Sequence, residues 1–230
     1  MTPILLAFAL VAQPQPPQPE NPPPLQQEFP VSRSLTPAHD LFYDDVPVSS
    51  LEARVAVQGF GSCVADRSRE LAEDTIASDF TTRTYRSRID RLVQANGDCF
   101  RDGGGRRMRS SRLLFAGAMA EALIERDGQP LNVRLARAAL QPATPAYSAS
   151  DQIAICVVRS LPDEVARLMA ADVGSAQEEA ATAALAPGLT ACAGQSRSVQ
   201  SNSAGLRAIL ATAAYRSLNS AAATGTAQRD

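Results

Sequence analysis

Two stretches decide the fold of this chain: CVADRSRELAEDTIASDFTTRTYRSRIDRLVQANGDC at residues 63–99 and CVVRSLPDEVARLMAADVGSAQEEAATAALAPGLTAC at residues 156–192. Each stretch begins and ends with a cysteine, and the chain has only these 4 cysteines. The second stretch follows the first at an offset of 93 residues. Such a repeated spacing is typical of an internal duplication.

Residues between and beyond the cysteines follow the same frame. Identical pairs at the 93-residue offset include Ala77 and Ala170, Asp79 and Asp172, and Leu92 and Leu185. Beyond the second cysteine the offset becomes 95, and the identical pairs include Arg112 and Arg207, Ala116 and Ala211, and Leu123 and Leu218. We therefore predict a tandem duplication of one small module. The alternative is a coincidence of spacing, because the overall identity of the two halves is low.

The apolar residues of both modules recur at helical spacing, which predicts an all-α fold. In the first module the predicted helices cover 68–78, 82–95 (ended by Asn96-Gly97) and 112–125 (capped by Ser110 or Ser111). In the second module the first predicted helix starts at Ser160-Leu-Pro-Asp-Glu164, where the Ser160 hydroxyl is the predicted cap. The second predicted helix starts at Ser175 and ends at Pro187-Gly188, and a closing helix covers 203–218. Residues 132–140 fit either a strand or a helix.

Changes of composition along the chain divide it into six segments. They are a signal peptide at 1–12, a Pro-rich leader and arm at 13–53, module 1 at 54–126, a connector at 127–147, module 2 at 148–220 and a disordered tail at 221–230. Because each module has only about 70 residues, close to the lower limit for a self-sufficient core, we expect disulfide bracing, mutual packing, or both.

The N-terminus and the cysteines indicate export. The apolar run 1–12 is too short to span a bilayer but has the length of a signal-peptide core, with small residues Ala7, Ala9 and Ala12 near a cleavage site. No basic residue precedes this run. An even number of cysteines agrees with an oxidising compartment, so we predict a periplasmic or secreted protein. The alternative is a cytosolic protein with free thiols.

The cysteines are expected to pair within each module. In each copy one cysteine precedes the first predicted helix and the other follows the second, so an antiparallel hairpin would bring them together. We therefore predict the disulfides Cys63–Cys99 and Cys156–Cys192. A zinc site is disfavoured because short Cys-x2-Cys spacings are missing.

Few side chains are suited to catalysis. His39 is the only histidine and lies outside both modules, which argues against a histidine-based nucleophile. The adjacent carboxylates Glu73-Asp74 and Glu178-Glu179 do not face each other across a cleft, and the charge of helix starts explains them. We therefore predict no enzymatic activity, no cofactor and no metal.

An arginine-rich loop in module 1 is the one candidate ligand site. Three glycines at 103–105 lie beside the arginines that we predict to bind an anion: Arg101, Arg106, Arg107 and Arg109. Flexible backbone N–H groups and guanidinium forks suit phosphate, sulfate or carboxylate. The alternative is an ordinary solvated face. A net charge of −2 with 22 cationic residues, all arginine, draws the whole chain neither to nucleic acid nor to a membrane.

The Cys-Val-Val-Arg sequence at 156–159, the return to cysteine 36 residues later and the closing alanine-rich helix resemble a family of uncharacterised exported bacterial proteins built of two such repeats. The resemblance covers about residues 55–220 and implies duplication and export, but no activity. We predict a non-enzymatic exported helical-repeat protein that binds a protein partner or associates with the cell envelope. The alternative is an anion- or polyanion-binding module that uses the arginine-rich loop.

Overall fold

The computed structural model describes residues 50–103, 110–194 and 202–227, with only the backbone for 101–103 and 221–227. In these ranges the chain is all-helical and contains no strand, as predicted. The α-helices are α1 Leu51–Arg67, α2 Arg69–Ala77, α3 Arg83–Ala95, α4 Arg112–Glu125, α5 Leu131–Ala139, α6 Ala149–Ser160, α7 Pro162–Ala170, α8 Ala176–Ala193 and α9 Ser203–Ala227. A 3-10 helix, Gly97–Gly103, follows α3.

Side-chain hydroxyls start most of these helices. Each accepts a hydrogen bond from the backbone N–H three residues later, which satisfies one of the free donors of the first turn. The capping residues are Ser50, Thr82, Ser111, Ser148 and Ser175. The predicted caps Ser111 and Ser175 are therefore confirmed. Ser160 is not a cap, because it ends α6, and α7 starts after Leu161 with Pro162 in its first turn.

The two disulfides pair as predicted, Cys63 with Cys99 and Cys156 with Cys192. The first cysteine of each pair nevertheless lies inside a helix, α1 or α6, and not before the first helix of its module as expected. In α1 the buried positions are Val57, Phe60, Gly61, Val64 and Ala65. Their spacing is helical, but Gly59 and Gly61 lower the intrinsic helix propensity and hide the pattern.

Pro187-Gly188 does not end α8, which continues to Ala193 with Pro187 inside it. A proline has no N–H to donate, so the carbonyl four residues earlier loses its helical partner. The surrounding alanines have the highest helix propensity, and Cys192 holds the last turn to α6 through its disulfide.

Three further boundaries differ from the expected ones. The undecided segment 132–140 belongs to helix α5. α1 begins at Leu51, inside the expected arm, because Ser50 supplies a cap. α9 continues to Ala227, where a disordered tail was expected from 221, because alanines follow Ser220.

The two halves of the helical region pack on each other. α1 packs on α4, α6 packs on α9, and α4 and α9 pack against each other across the middle, while α5 covers α7 and α9. The approach of α4 to α9 is close: a Cβ on Gly117 would lie 2.5 Å from the Cα of Ala208. One continuous hydrophobic core therefore runs through both halves, and Phe115 and Met119 of α4 and Leu210 of α9 are fully buried in it.

Helix boundaries in the two halves coincide at the offset of 93 residues. α2 (Arg69–Ala77) and α7 (Pro162–Ala170) start and end at matching positions, and α3 and α8 start at matching positions. α1 and α6 also end at matching positions. This agreement is what a duplication would produce, although descent from one ancestral module stays a prediction.

Candidate functional site

The predicted anion-binding arginines lie outside the part of the chain whose side chains are described. Only the backbone of Arg101 is placed, in the 3-10 helix, and Arg106, Arg107 and Arg109 fall in the undescribed segment 104–109. His39 and the expected signal peptide are also outside the described residues. Anion binding by this loop therefore stays a prediction.

A group of charged side chains lies buried where the two halves meet. We call Arg54, Gln58, Glu121, Glu178 and Arg207 the ionic cluster. They come from α1, α4, α8 and α9, and the side chains of Glu121, Glu178 and Arg207 are only 2%, 3% and 7% exposed. Charges this deeply buried are tolerated only when they are paired and hydrogen-bonded.

Arg207 of α9 is the centre of the cluster. Its Nε and Nη2 donate to Glu121 Oε1 and Oε2 at 2.9 and 2.7 Å, which forms a two-pronged contact with α4. Its Nη1 donates to the carbonyl of Ala171 at 2.8 Å and to Glu178 Oε1 at 3.2 Å. One guanidinium thus ties the closing helix of each half together and also holds the end of α7, with the charge-assisted geometry that makes such bonds strong.

Glu178 and Gln58 complete the cluster. Nη2 of Arg54 donates to both oxygens of Glu178, at 2.6 and 2.7 Å, and the N–H of Gly174 donates to Oε2 at 2.8 Å. Gln58 Nε2 donates to Glu121 Oε2 at 2.8 Å. Two carboxylates and two guanidinium groups give the cluster no net charge.

The two carboxyls of the cluster have opposite pKa shifts. Burial raises the pKa of Glu121, and the bonds and charge of Arg207 and the bond from Gln58 offset this only in part. Burial also opposes the ionisation of Glu178, but the bonds from Arg54 and Gly174 and the charges of Arg54 and Arg207 outweigh it, so its pKa is lowered. Glu178 is therefore the firmly ionised carboxylate of the pair.

A small cavity adjoins the ionic cluster. It measures about 30 Å³ and is lined by Arg54, Gln58, Glu121 and Arg207 together with apolar residues such as Val173. The Nε of Arg54 is buried there without a hydrogen-bond partner among the described residues. This volume has room for water, which needs about 10–15 Å³ of such space. It is far below the roughly 300–1,000 Å³ of small-molecule sites.

A second cluster, built around a buried ion pair, lies elsewhere between the two halves. We call Phe80, Tyr85, Tyr147, Asp151 and Arg216 the aromatic cluster. Arg216 forms an ion pair with Asp151, and their side chains are 3% and 1% exposed. The guanidinium lies 5.1 Å from the Tyr147 ring and 5.9 Å from the Phe80 ring, within cation–π range.

The backbone around the aromatic cluster supports its ion pair. The N–H of Tyr147 donates to Asp151 Oδ2 at 2.9 Å, and Arg216 Nη1 donates to the carbonyl of Pro145 at 3.2 Å. Burial raises the pKa of Tyr85, so this hydroxyl stays protonated at physiological pH. The cluster is thus a satisfied structural site in which one cation is enclosed by rings.

Neither cluster is predicted from the sequence, although signals for both exist in it. Glu121 and Arg207 are single charges inside long apolar helical runs, a pattern that demands a buried partner. Glu178 was explained by the charge preference of a helix start, but its carboxylate is buried in the ionic cluster. Glu73, which was explained in the same way, forms an ion pair with Arg69 at 2.7 Å on the partly exposed surface.

Two open grooves flank α7 on the outside of the second half. The groove between α7 and α8 has a volume of about 560 Å³, and the depression towards α5 has about 520 Å³. Arg167 and Ala170 line both. The acidic residues Asp163, Glu164 and Asp172 and the small residues Ala181 and Ala184 also line the grooves.

Neither the comparisons with known proteins nor the geometry of the described side chains identifies a ligand. No protein-family model, curated protein or solved structure matches this chain. Among the residues with described side chains, no three His, Cys, Asp or Glu residues are grouped as metal ligands would be. Within the described ranges, no helix has both the length and the apolar composition needed to cross a bilayer.

Proposed function

We propose that this chain is an exported, non-enzymatic helical protein that binds another protein through the outer face of α7. The observation that supports the proposal is a difference between the buried charges, which pair with each other, and the outer surface of α7, which has open grooves. Inside, the carboxylates of Glu121, Asp151 and Glu178 are all paired with guanidinium groups and serve the packing of the two halves. Outside, α7 lies between two open grooves.

The chemistry of the α7 face favours a basic helical segment as the partner. Asp163, Glu164 and Asp172 line the grooves, against one cation, Arg167, which is itself paired with Glu164 at 2.8 Å. The face is therefore net acidic. The alanines at 170, 181 and 184 have no bulk beyond Cβ, so a partner backbone can approach closely.

Site-specific photo-crosslinking in the native host tests this surface. A crosslinker at the exposed positions Ala170 and Ala184 is expected to trap one defined protein species. The matched control is the exposed Arg91 on α3, in the other half. Asp163→Arg with Asp172→Arg should abolish the crosslink, because both changes reverse the charge of the groove. Equal crosslinking from Arg91, or no effect of charge reversal, would contradict the proposal.

Export is supported by the two disulfides, since such bonds persist in oxidising compartments and are rare in the cytosol. The test is a non-reducing peptide map with N-terminal sequencing on protein from the native host. We expect both bridges and a new N-terminus between Ala9 and Pro14. An intact Met1 with free thiols would place the protein in the cytosol.

The alternative function is anion binding by the arginines around the glycine loop, Arg101, Arg106, Arg107 and Arg109. Three arginines within four positions, directly after three glycines, support it. Heparin should bind with an affinity that falls as salt rises, and a variant with all four arginines changed to alanine should lose that binding. Salt-insensitive binding, or none, would end this alternative.

A further inference from the structure

The ionic cluster and the aromatic cluster are built from matching positions of the two halves. At the 93-residue offset the matching pairs are Arg54 and Tyr147, Gln58 and Asp151, Phe80 and Val173, and Tyr85 and Glu178. At the 95-residue offset of the closing helices they are Arg112 and Arg207, and Glu121 and Arg216. In each pair, one residue lies in or beside the ionic cluster and the other lies in or beside the aromatic cluster.

The two clusters take these positions from opposite halves. The ionic cluster and its cavity use positions 54, 58 and 121 of the first half with 173, 178 and 207 of the second. The aromatic cluster uses 147, 151 and 216 of the second half with 80 and 85 of the first, and the charges of Arg112 and Arg216 both act on Tyr85. If the first half were superposed on the second and the second on the first, the positions of the ionic cluster would therefore fall on those of the aromatic cluster.

Corresponding contacts occur in the two clusters, each within one half, so the inner faces of the two halves are built alike. In the ionic cluster, Gln58 of α1 donates to Glu121 of α4 at 2.8 Å. At the matching positions, Arg216 of α9 donates to Asp151 of α6, with the direction of the bond reversed. Val173 borders the cavity of the ionic cluster where Phe80 borders the guanidinium of the aromatic cluster.

We infer that the two halves dock as the subunits of a two-fold symmetric homodimer would, so that the inner face of each half fits a second copy of the same module. Such an interface is isologous: if position i of one subunit meets position j of the other, then j also meets i. The exchange of matching positions between the two clusters meets that condition. α4 and α9, which pack against each other, lie between the clusters where a two-fold axis would run. This inference goes beyond the proposed function, because it concerns the inner face and not the α7 grooves.

A transplant of one polar pair tests the equivalence of the clusters. The double change Asp151→Gln with Arg216→Glu recreates the Gln58–Glu121 pair in the aromatic cluster. The matched control, Asp151→Asn with Arg216→Glu, makes the same change of charge, but its amide is one methylene shorter, so we expect a weaker hydrogen bond to the carboxylate or none. We expect the Gln-containing variant to melt about 3 °C or more above the control, as a hydrogen bond to a charged group would give. Equal melting temperatures would mean that the inner faces of the two halves are not equivalent, which would overturn the inference, because a two-fold interface requires equivalent faces.

Cleavage of the connector tests whether the interface holds two separate chains together, as a homodimer interface must, and it does not require either double variant to fold. Residues 125–130 are exposed between α4 and α5, so a protease recognition sequence inserted after Gly128 in the full chain is accessible. Each fragment keeps its own disulfide, and no covalent bond joins them. We expect the cleaved fragments to co-elute as a 1:1 complex under native, non-reducing conditions. Separate elution would overturn the inference.

Discussion

Single charged residues set the relative position of the two halves. Arg207 lies in an otherwise apolar region of α9, and both carboxylates that it meets belong to other helices, α4 and α8. A buried ion pair adds little net stability compared with well-packed apolar residues, because desolvation offsets the attraction. We expect its effect to be on specificity, since another alignment of α4 and α9 would separate Arg207 from Glu121 and leave a buried charge without that partner.

Arg207→Met should destabilise the protein by about 3–5 kcal/mol, because it leaves Glu121 buried and unpaired. Adding Glu121→Met should restore much of this loss, since the remaining pair, Arg54 and Glu178, is neutral. Arg167→Met, at an exposed position on α7, is the control and should change stability by about 0.5 kcal/mol or less. Urea unfolding measures all three. A double variant no more stable than Arg207→Met alone would refute this account.

Glu178 should make stability depend on pH in the acid range. Its pKa in the folded protein lies below the ordinary value of 4.5, so its stabilising effect is complete above that value and is lost as the pH falls through the folded pKa. Glu178→Gln should therefore be less stable than the wild type at pH 7, and this deficit should shrink on acidification below about pH 4.5. Thermal melts from pH 7 to 3 test this.

The control for that experiment is Glu179→Gln, which removes the neighbouring exposed carboxylate. Its melting temperature at pH 7 should stay near that of the wild type. A deficit of Glu178→Gln that persists unchanged at low pH would mean that the carboxylate charge is not what stabilises the cluster.

At the scale of elements, the contact between α4 and α9 depends on the absence of a side chain at Gly117. A Cβ there would meet the Cα and Cβ of Ala208 at 2.5 Å, well inside normal contact distance. Because backbone atoms of a long helix cannot move aside independently, the two helices would have to separate. Gly61 makes a similar close approach to Ala118 where α1 meets α4.

Gly117→Ala should cost about 1–3 kcal/mol, the usual effect of overpacking a core. The control is Gly59→Ala in α1, where an added Cβ meets nothing within 4 Å. That change should stabilise the protein by about 0.5–1 kcal/mol through helix propensity alone. Chemical denaturation of both variants distinguishes close packing from propensity, and a neutral or stabilising Gly117→Ala would contradict the close packing.

At the scale of the whole molecule, the two halves form one hydrophobic core, so they should unfold together. Each disulfide closes a loop of the same length, with 36 residues of separation. Chain entropy then predicts a similar contribution from each, at most about 4 kcal/mol. Because the core is shared, the loss of either bridge should weaken the entire helical region and not one half of it.

Replacing Cys63 and Cys99 by serine, or Cys156 and Cys192 by serine, should lower stability by similar amounts of about 2–4 kcal/mol. Each variant should still unfold in a single transition. Calorimetry and circular dichroism measure this, and two separate transitions would show that the halves are independent.

The local features of the fold were predictable where the pattern was strong. The caps Ser111 and Ser175 and the C-terminal end of α3 at Asn96 follow from local chemistry. The helices α1 and α6 were not predicted, because they contain glycine or β-branched residues of low helix propensity and are stabilised by tertiary packing. The ionic cluster could not be located, because its members are up to 153 residues apart, from Arg54 to Arg207, and only the packing of α4 on α9 brings them together.

By itself the sequence determined the helical class and the pairing of cysteines, because periodicity, caps and equal spacings act over a few turns or within one module. The tertiary structure alone decided that the halves share a core, that Arg207 lies between Glu121 and Glu178, and that two clusters lie at exchanged positions of the interface. The physical reason is that a charge is buried by atoms of helices that lie far away in the sequence. No local pattern records which distant partner will neutralise it.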